Sequence, residues 1–380
     1  MINNKLKNYF PIIREREDIR NEINNTPKLY ELFSEWNPKQ QAMFLDFCSG
    51  VKGAKLLYDS FFKEIMSPEY APERLNELLS LILGEPVTIK EMLPNDSTRI
   101  ADETSLVILD IVVQLKDGSI ANVEVQKIGY MFPGQRAACY SADLLLRQYK
   151  RVRSRLGKNF SYKNIKTVYT IVLFESSPAA FNDFPDTYIH NFKQKSDTGI
   201  EIDLLQRYIF IPLDIFINML HNKGINNRLD AWFTFLSSDL PEDIISLIDK
   251  YPDFKPLYDE VYFMCLNTEK VMQMFSKELA ELDKNTVQYM IDEMQSEIDG
   301  MKQQLDDKDS KIHGMKKQLN DKDDTINLKD NIITEKDNVI AEKDNVITEK
   351  DNVITEKDNE IALLRKQLEE LNIRNQTPNL

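Results

Sequence analysis

Hydrophobic residues recur every seven positions through the last quarter of the chain. This first series reads Ile291, Ile298, Leu305, Ile312, Leu319, Ile326, Ile333, Ile340, Ile347, Ile354, Ile361 and Leu368. Three residues after each member, a second series reads Met294, Met301, Lys308, Met315, Lys322, Lys329, Lys336, Lys343, Lys350, Lys357, Leu364 and Leu371. This sustained 3,4 spacing without proline predicts a left-handed coiled coil over residues 286–372, followed by a disordered tail at 373–380.

The predicted coiled coil is also repetitive in sequence, because Lys-Asp-Asn-Val-Ile-Thr-Glu is copied almost verbatim through Glu356. The lysines of the second series weaken the middle of the seam, so we expect firm pairing at its two ends. A single solvated helix or a partly disordered spacer is the alternative, since charged low-complexity repeats often do not pack. Both interpretations place the chemistry of the protein elsewhere.

The chain before the repeats alternates between helical and strand-like patterns. Apolar residues at helical spacing predict a helix between Pro72 and Gly84, with proline near its start and glycine just past its end. Strands are predicted at 105–115, 120–128, 167–174 and 208–212, and helices at 134–153 and 226–285. This order predicts an α/β fold in which helices flank a mixed sheet. The expected divisions are a helical segment at 1–52, a core at 53–220 and a helical subdomain at 221–285.

The first two predicted strands form a hairpin that gathers polar residues on one face. Almost every residue from 106 to 115 is apolar, which fits a strand covered on both sides. Lys116-Asp117-Gly118 suits a three-residue loop with glycine in the left-handed position, and this loop sets Asp110 opposite Glu124. The same face then carries Asn122 and Gln126. A two-residue loop would move the two carboxylates to opposite faces.

Two carboxylates directly across a strand pair repel each other unless one is protonated or a cation lies between them. Their oxygen ligands suit Mg²⁺ or Mn²⁺, which can activate water and stabilise the charge that develops at phosphorus. Gln126 points at the same site and can orient the water or the phosphate, although it lacks the positive charge of a lysine. The alternative is a solvent-facing hairpin whose polar side happens to be acidic.

With Asp110, the Lys-Asp-Gly turn and Val-Glu124-Val-Gln126, the chain resembles the Rpn-type recombination-promoting nucleases, also described as PD-(D/E)XK nuclease family transposases. Phe62-Lys63 before this site, and Arg136, Tyr140, Ser141 and Gln148 after it, extend the resemblance, which covers about residues 55–285.

The resemblance implies a restriction-endonuclease-like core and Mg²⁺- or Mn²⁺-dependent DNA cleavage linked to recombination or mobile DNA. It implies catalytic roles for Asp110, Glu124 and Gln126, with the two carboxylates as metal ligands and Gln126 in the place of the superfamily's lysine. Glu77 is a weaker match to a helix carboxylate of that superfamily.

A basic stretch follows the hairpin, although the formal net charge of the chain is −14. Residues 144–174 contain no acidic residue, and Tyr149, Phe160 and Tyr162 are interleaved with the cations. We predict DNA contacts by Arg136, Tyr140, Arg147, Lys150, Arg151, Arg153 and Arg155. The alternatives are an ordinary solvated helix face and loop, and a buttressing role for Arg136 and Tyr140 against the hairpin.

Other features narrow the class of protein. The three cysteines lack a CxxC spacing, which favours neither a disulfide framework nor a zinc ribbon. The charged start lacks the apolar core of a signal peptide, and no uncharged apolar run is long enough to span a bilayer. The three histidines are far apart and are interpreted as structural. We therefore expect a soluble cytoplasmic protein without a membrane partner.

Three functions stay open on the sequence. The first is a DNA endonuclease whose coiled coil makes it a homo-oligomer. The second is a catalytically weak, nuclease-derived module that binds DNA or protein, because Gln126 replaces the lysine. The third is a coiled-coil scaffold whose globular part docks a partner.

Overall fold

The computed structural model describes residues 4–93, 111–127 and 133–374, without the side chains of residues 59, 281–289, 292, 293 and 372–374. The predicted catalytic residue Asp110 lies outside the described residues, as does the first part of the strand predicted at 105–115. The chain divides into two compact units, Met1–Met294 and Gln295–Leu380. The domain boundaries predicted within the first unit stay predictions.

The first unit begins with four helices, α1 to α4. Their bounds are Lys5–Tyr9, Arg16–Asn25, Pro27–Ser34 and Pro38–Cys48. The start of α4 shows why the chain turns here: Pro38 occupies the first turn, and the Asn37 side chain accepts from the backbone of Gln40, whose side chain accepts from Asn37. This reciprocal cap satisfies amide groups that a helix start leaves unpaired.

Two further helices, α5 at Asp59–Ile65 and α6 at Pro72–Leu83, precede the sheet. Helix α6 confirms the predicted punctuation, because Pro72 lies in its first turn and Gly84 ends it in the left-handed conformation. Its apolar residues Leu75, Leu78, Leu79 and Ile82 are all buried, as their spacing predicts.

A mixed sheet of six strands follows the order β1-β2-β3-β4-β6-β5. The strands are β1 Ile89–Met92, β2 Ile111–Leu115, β3 Ile120–Gln126, β4 Val168–Phe174, β5 His190–Phe192 and β6 Gln206–Pro212. β3 runs parallel to β4, and β4 parallel to β6, whereas the other neighbours are antiparallel. The sequence missed β1 and β5, which are short edge strands with few buried residues.

Helix α7, Pro133–Leu156, connects β3 to the parallel β4 and covers one face of the sheet. Val112, Ile120 and Val168 pack there against Tyr140 and Leu144 of α7. The opposite face, with Ile111, Val113 and Val123 among others, belongs to the large core that the remaining helices share. The strands β2 and β3 are therefore covered on both sides, which the apolar composition of 106–115 predicts for β2.

The large core is completed by the helices that follow the sheet. These are α8 Leu213–Lys223, α9 Arg228–Ser237, α10 Pro241–Lys250, α11 Lys255–Met264 and the first turns of α12. Aromatic contacts join them to the start of the chain, with ring centroids 4.9 Å apart both for Phe10 and Tyr262 and for Trp36 and Phe275. The helical pattern predicted over 226–285 is thus several helices.

Helix α12 runs continuously from Thr268 to Arg374 and includes the heptad repeats. The residues of the first series that are described in the second unit, from Ile298 to Leu368, are exposed. The long helix is confirmed, whereas the coiled coil stays a prediction.

Replacement of Gly118 by alanine should destabilise the first unit, because Gly118 has a φ of +95° and an added Cβ would lie 3.3 Å from Lys166 Cγ. A non-glycine residue in a left-handed conformation costs about 1–3 kcal/mol. Urea denaturation should show this loss. Gly134→Ala is the control, since Gly134 lacks a positive φ and has no atom within 4 Å of an added Cβ. Equal midpoints for Gly118→Ala and the wild type would contradict the role of Gly118 in the turn.

Candidate active site

The register of the β2–β3 hairpin is the one predicted from the three-residue loop. Ile111 lies opposite Val123, and Val113 opposite Ala121. At the loop, the Gly118 amide donates to the Leu115 carbonyl at 3.0 Å, and the Leu115 amide donates to the Ser119 carbonyl at 2.8 Å. Asn122, Glu124 and Gln126 therefore share one face of β3, as the sequence predicts.

This polar face lies under α7 and is shielded from solvent. Glu124 and Gln126 are each 2% exposed, and Asn122 is fully buried. The alternative of a solvent-facing acidic hairpin is therefore wrong. A carboxylate in such a place is costly unless neighbouring groups compensate its charge or it takes up a proton.

Two neighbouring side chains compensate Glu124 in part. Arg136, in the first turn of α7, places Nη2 at 3.2 Å from Glu124 Oε1. Gln126 Nε2 donates to the same oxygen at 3.2 Å. Among the described residues, Glu124 Oε2 and Gln126 Oε1 are buried without a hydrogen-bond partner. Oε1 of Glu124 is thus occupied, whereas Glu124 Oε2 and Gln126 Oε1 receive no hydrogen bond from the described part of the chain.

Burial raises the pKa of Glu124 to about 7, because removal from water disfavours the charged form. The positive charge of Arg136 and the hydrogen bond from Gln126 act in the opposite direction. Glu124 is therefore poised to change charge near neutral pH. A ligand that stabilises the carboxylate would shift it to the ionised form.

Helix α7 positions Arg136 by packing it on Tyr140. The Arg136 guanidinium carbon lies 5.3 Å from the centroid of the Tyr140 ring, and Tyr140 is buried among Val112 and Val168. This burial favours a buttressing role for Tyr140 over direct DNA contact. Arg136 keeps 35% of its side-chain surface exposed, so it faces both the carboxylate and solvent.

The other predicted DNA-contacting residues do not form one uniform surface. Arg147 is paired with Asp143 at 2.6 Å, within α7. Lys150, Arg153 and Arg155 are exposed, and Arg151 is partly buried. The structure therefore brings Arg136 to Glu124 and leaves a separate group of exposed cations near the end of α7.

Glu77 and two of the histidines have other partners. Both oxygens of Glu77 accept from Arg228, which also binds Asp253. His190 Nε2 lies 3.1 Å from the Thr187 carbonyl, and His221 Nε2 lies 3.3 Å from Asp243 Oδ2. Among the described residues, no group of three or more histidine, cysteine, aspartate or glutamate side chains forms a metal-binding cluster.

Sequence reasoning missed an ion pair directly beside the site. Lys127, the residue after Gln126, pairs with Glu278 of α12, and its Nζ lies 4.4 Å from the centroid of the Tyr58 ring. Glu278 is almost fully buried. The pair joins the end of β3 to the first turns of α12, and no local pattern predicts it, because Glu278 resembles the many charged residues of the helix that follows.

A second missed feature is a polar strip that extends the site across the sheet. Asn122 of β3 neighbours Thr170 of β4, and both side chains are fully buried and make no hydrogen bond to any described residue. Beyond them, Gln206 of β6 donates to Ser141 of α7 at 3.0 Å. The signal in the sequence was the single threonine at an inward position of an otherwise apolar β4.

A mixed sheet flanked by helices, with a buried carboxylate and glutamine on a central strand, is consistent with a PD-(D/E)XK-like core. The sequence of residues 56–291 matches the PD-(D/E)XK nuclease family transposases, and the chain belongs to this family. Its membership indicates a function related to nucleases or transposases. Searches of the curated proteins and of the solved structures returned no match. None of the described helices is long and apolar enough to cross a membrane.

The raised pKa of Glu124 predicts a pH-dependent stability that Glu124→Gln removes. Between about pH 4.5 and 7 the folded state holds a proton that the unfolded state has lost, so the free energy of unfolding falls as pH rises. As the pH rises from 5 to 8, the free energy of unfolding of the wild type should fall by on the order of 2–3 kcal/mol relative to that of Glu124→Gln.

Urea unfolding in EDTA at both pH values measures this difference. The exposed Glu85 provides the matched control Glu85→Gln, which should follow the wild type. Parallel pH profiles for Glu124→Gln and the wild type would show that burial does not raise the pKa of Glu124.

Proposed function

We propose that the chain is a divalent-metal-dependent DNA endonuclease that hydrolyses phosphodiester bonds and is linked to recombination or mobile DNA. The observation that carries this proposal is the buried Glu124, whose Oε2 and the neighbouring Oε1 of Gln126 have no hydrogen-bond partner within the described part of the chain. Membership of a nuclease and transposase family supports DNA as the substrate.

The residues present fit a hard cation. Mg²⁺ and Mn²⁺ prefer carboxylate and amide oxygens, and two such oxygens are buried here without a donor among the residues that the structure describes. The three-residue loop in the sequence predicts Asp110 opposite Glu124, and we propose Asp110 as the second carboxylate ligand. When bound, the metal would lower the pKa of a water and stabilise charge on the scissile phosphate.

Each side chain of the site has a distinct role in this proposal. Glu124 would hold the metal as a carboxylate, and its pKa of about 7 means that little free energy is needed to remove its proton near neutral pH. Gln126 holds Glu124 through Nε2, and its Oε1, which accepts no hydrogen bond from the residues that the structure describes, would accept one from the attacking water. Arg136 supplies the positive charge that Gln126 lacks, and its exposed part can reach a DNA phosphate.

A catalytically weak module that binds DNA or protein is the second candidate. The Arg136–Glu124 ion pair favours it, because a guanidinium already balances the carboxylate that a cation would otherwise hold. In that case the fold and the DNA contacts persist, whereas cleavage does not.

We further propose that the chain forms a homo-oligomer through its heptad repeats. The first series places an exposed isoleucine or leucine at every seventh residue of α12. Burial of these side chains against a second copy of the chain would stabilise a dimer. A dimer would also bring two active sites to two DNA strands.

We also propose a cytoplasmic location for the protein. The three cysteines are free thiols, which supports this location.

Plasmid cleavage tests the catalytic assignment. With Mg²⁺ or Mn²⁺, we expect the wild type to cut, and Asp110→Asn and Glu124→Gln to lose activity by more than about 100-fold, since even the outer partners of metal ligands contribute 10- to 100-fold. Glu85→Gln should retain activity, because Glu85 is exposed on the surface.

Calorimetric titration with Mn²⁺ separates the two candidates. Weaker Mn²⁺ binding by both site variants supports the metal assignment, whereas equal cleavage by all proteins excludes it. A wild type that binds DNA without cutting it would favour the second candidate.

Substitutions in the repeats test assembly in the full-length chain. Ile333→Asp together with Ile340→Asp should lower the oligomeric mass measured by sedimentation equilibrium, because each places a charge in the predicted seam. Asn338→Asp together with Asn345→Asp adds the same charge on the opposite side of the heptad and should leave the mass unchanged. A monomeric wild type would rule out assembly through this helix.

A further inference from the structure

Three aromatic rings meet outside the core where α7 ends. Tyr149 and Phe160 have ring centroids 5.5 Å apart, and Phe160 and Tyr162 have centroids 5.4 Å apart. Tyr149 and Tyr162 are nearly parallel, with 12° between their planes and 6.2 Å between their centroids. None of the three belongs to the buried clusters found among the described residues, and Tyr162 is 75% exposed. These three residues are called the aromatic cluster.

Local backbone structure, rather than core packing, holds the aromatic cluster in place. After α7, the chain forms two short 3-10 turns, Gly157–Asn159 and Tyr162–Asn164. Ser161 caps the second turn, because its amide donates to Asn164 Oδ1 at 2.8 Å and its hydroxyl accepts from the Lys163 amide. The Lys166 amide then donates to Gln148 Oε1 at 2.5 Å, which ties the segment back to α7. Tyr162 is thus presented to solvent on an ordered turn.

One cation contacts the aromatic cluster, and several more lie close to it in sequence. The Arg153 guanidinium carbon lies 5.6 Å from the centroid of the Tyr149 ring, and Arg153 Nη1 donates to the Tyr149 hydroxyl. Lys150, Arg155, Lys158 and Lys163 are exposed nearby in sequence, and residues 144–174 contain no acidic residue. In a chain with a formal net charge of −14, this is a strong local concentration of positive charge.

This combination fits one kind of partner. Cations bind phosphates of any nucleic acid, but exposed rings gain a partner only from bases whose faces are open. In duplex DNA neighbouring base pairs cover those faces, whereas unpaired nucleotides expose them. Stacking on tyrosine, with arginine and lysine along the backbone, is how single strands are held without sequence preference.

We propose that the aromatic cluster binds unpaired nucleotides of DNA by stacking on Tyr162 and Tyr149, while Arg153, Arg155, Lys158 and Lys163 hold the backbone. The choice of DNA over other nucleic acids rests on the proposed function. The stacking itself rests on the geometry of the aromatic cluster.

The position of the aromatic cluster along α7, relative to Arg136 beside Glu124, indicates which part of a DNA substrate it would contact. Tyr149 lies about 20 Å beyond Arg136 along α7, at 1.5 Å per residue, which equals about six nucleotides of a strand spaced at 3.4 Å. The two residues are also about 140° apart around the helix, at 100° per residue. The aromatic cluster therefore contacts DNA away from the cleavage position, which favours substrates with a single-stranded end or gap beside a duplex.

Fluorescence anisotropy of the full-length protein in EDTA tests the proposal without cleavage. The probes are a labelled single-stranded oligonucleotide, a blunt duplex of the same sequence and that duplex with an unpaired overhang. We expect the wild type to bind the single strand and the overhang more tightly than the blunt duplex. Tyr162→Ala should weaken binding of the two unpaired probes by about 5- to 100-fold and leave the blunt duplex unchanged.

Two matched variants separate stacking from other effects. Tyr162→Phe keeps the ring and should bind like the wild type. Tyr70→Ala removes a tyrosine that is 84% exposed but lies outside the aromatic cluster, and it should also bind like the wild type. Thermal denaturation of each variant confirms that the fold is retained.

Two results would overturn the proposal: unchanged single-strand binding by Tyr162→Ala, or equal binding of single strand and blunt duplex by the wild type. Tighter binding of an RNA oligonucleotide of the same sequence would assign the aromatic cluster to RNA instead. Because these measurements need neither cleavage nor a metal, they remain decisive if the wild type proves inactive. Conversely, cleavage that depends on Glu124 with binding that ignores Tyr162 would overturn this proposal alone.

Discussion

Glu124 lies on a central strand with almost no access to water, and one guanidinium and one amide compensate its charge in part. This compensation requires three separate parts of the fold. The Lys116-Asp117-Gly118 loop sets which face of β3 carries the carboxylate. Helix α7 carries Arg136 in its first turn, and this arginine packs on the Tyr140 ring. A shift in any of them would leave an uncompensated charge in the core, where it is costly.

The end of β3 places two consecutive side chains in different contacts. Gln126 faces Glu124 under α7, and the next residue, Lys127, pairs with the buried Glu278 at the start of the long helix. The strand that carries the candidate chemistry is thus also an anchor for α12. A buried pair of this kind contributes mainly by penalising arrangements that separate its members, because a lone buried charge is far less stable than either pair or neutral residues.

Local patterns in the sequence were sufficient for the hairpin register, for α6 and for the long helix, since each follows from turn chemistry or periodicity. Patterns failed where structure depends on distant partners. The short edge strands β1 and β5 form because they pair with β2 and β6. Burial of Glu278 depends on its ion pair with Lys127, which is distant in sequence. The arrangement of Arg136 on Glu124 was likewise beyond the sequence, which marked Arg136 as a candidate for phosphate contact or buttressing.

The near-identical heptads of α12 have a consequence for how this chain can evolve. Gain or loss of one seven-residue copy through slippage between the repeated coding segments would change the helix length by about 10.5 Å and rotate the later turns of the helix by only about 20°. The hydrophobic stripe would stay nearly in phase, and the anchored turns around Glu278 would be untouched. The length of helix α12 can therefore change in steps of one heptad while the first unit stays the same.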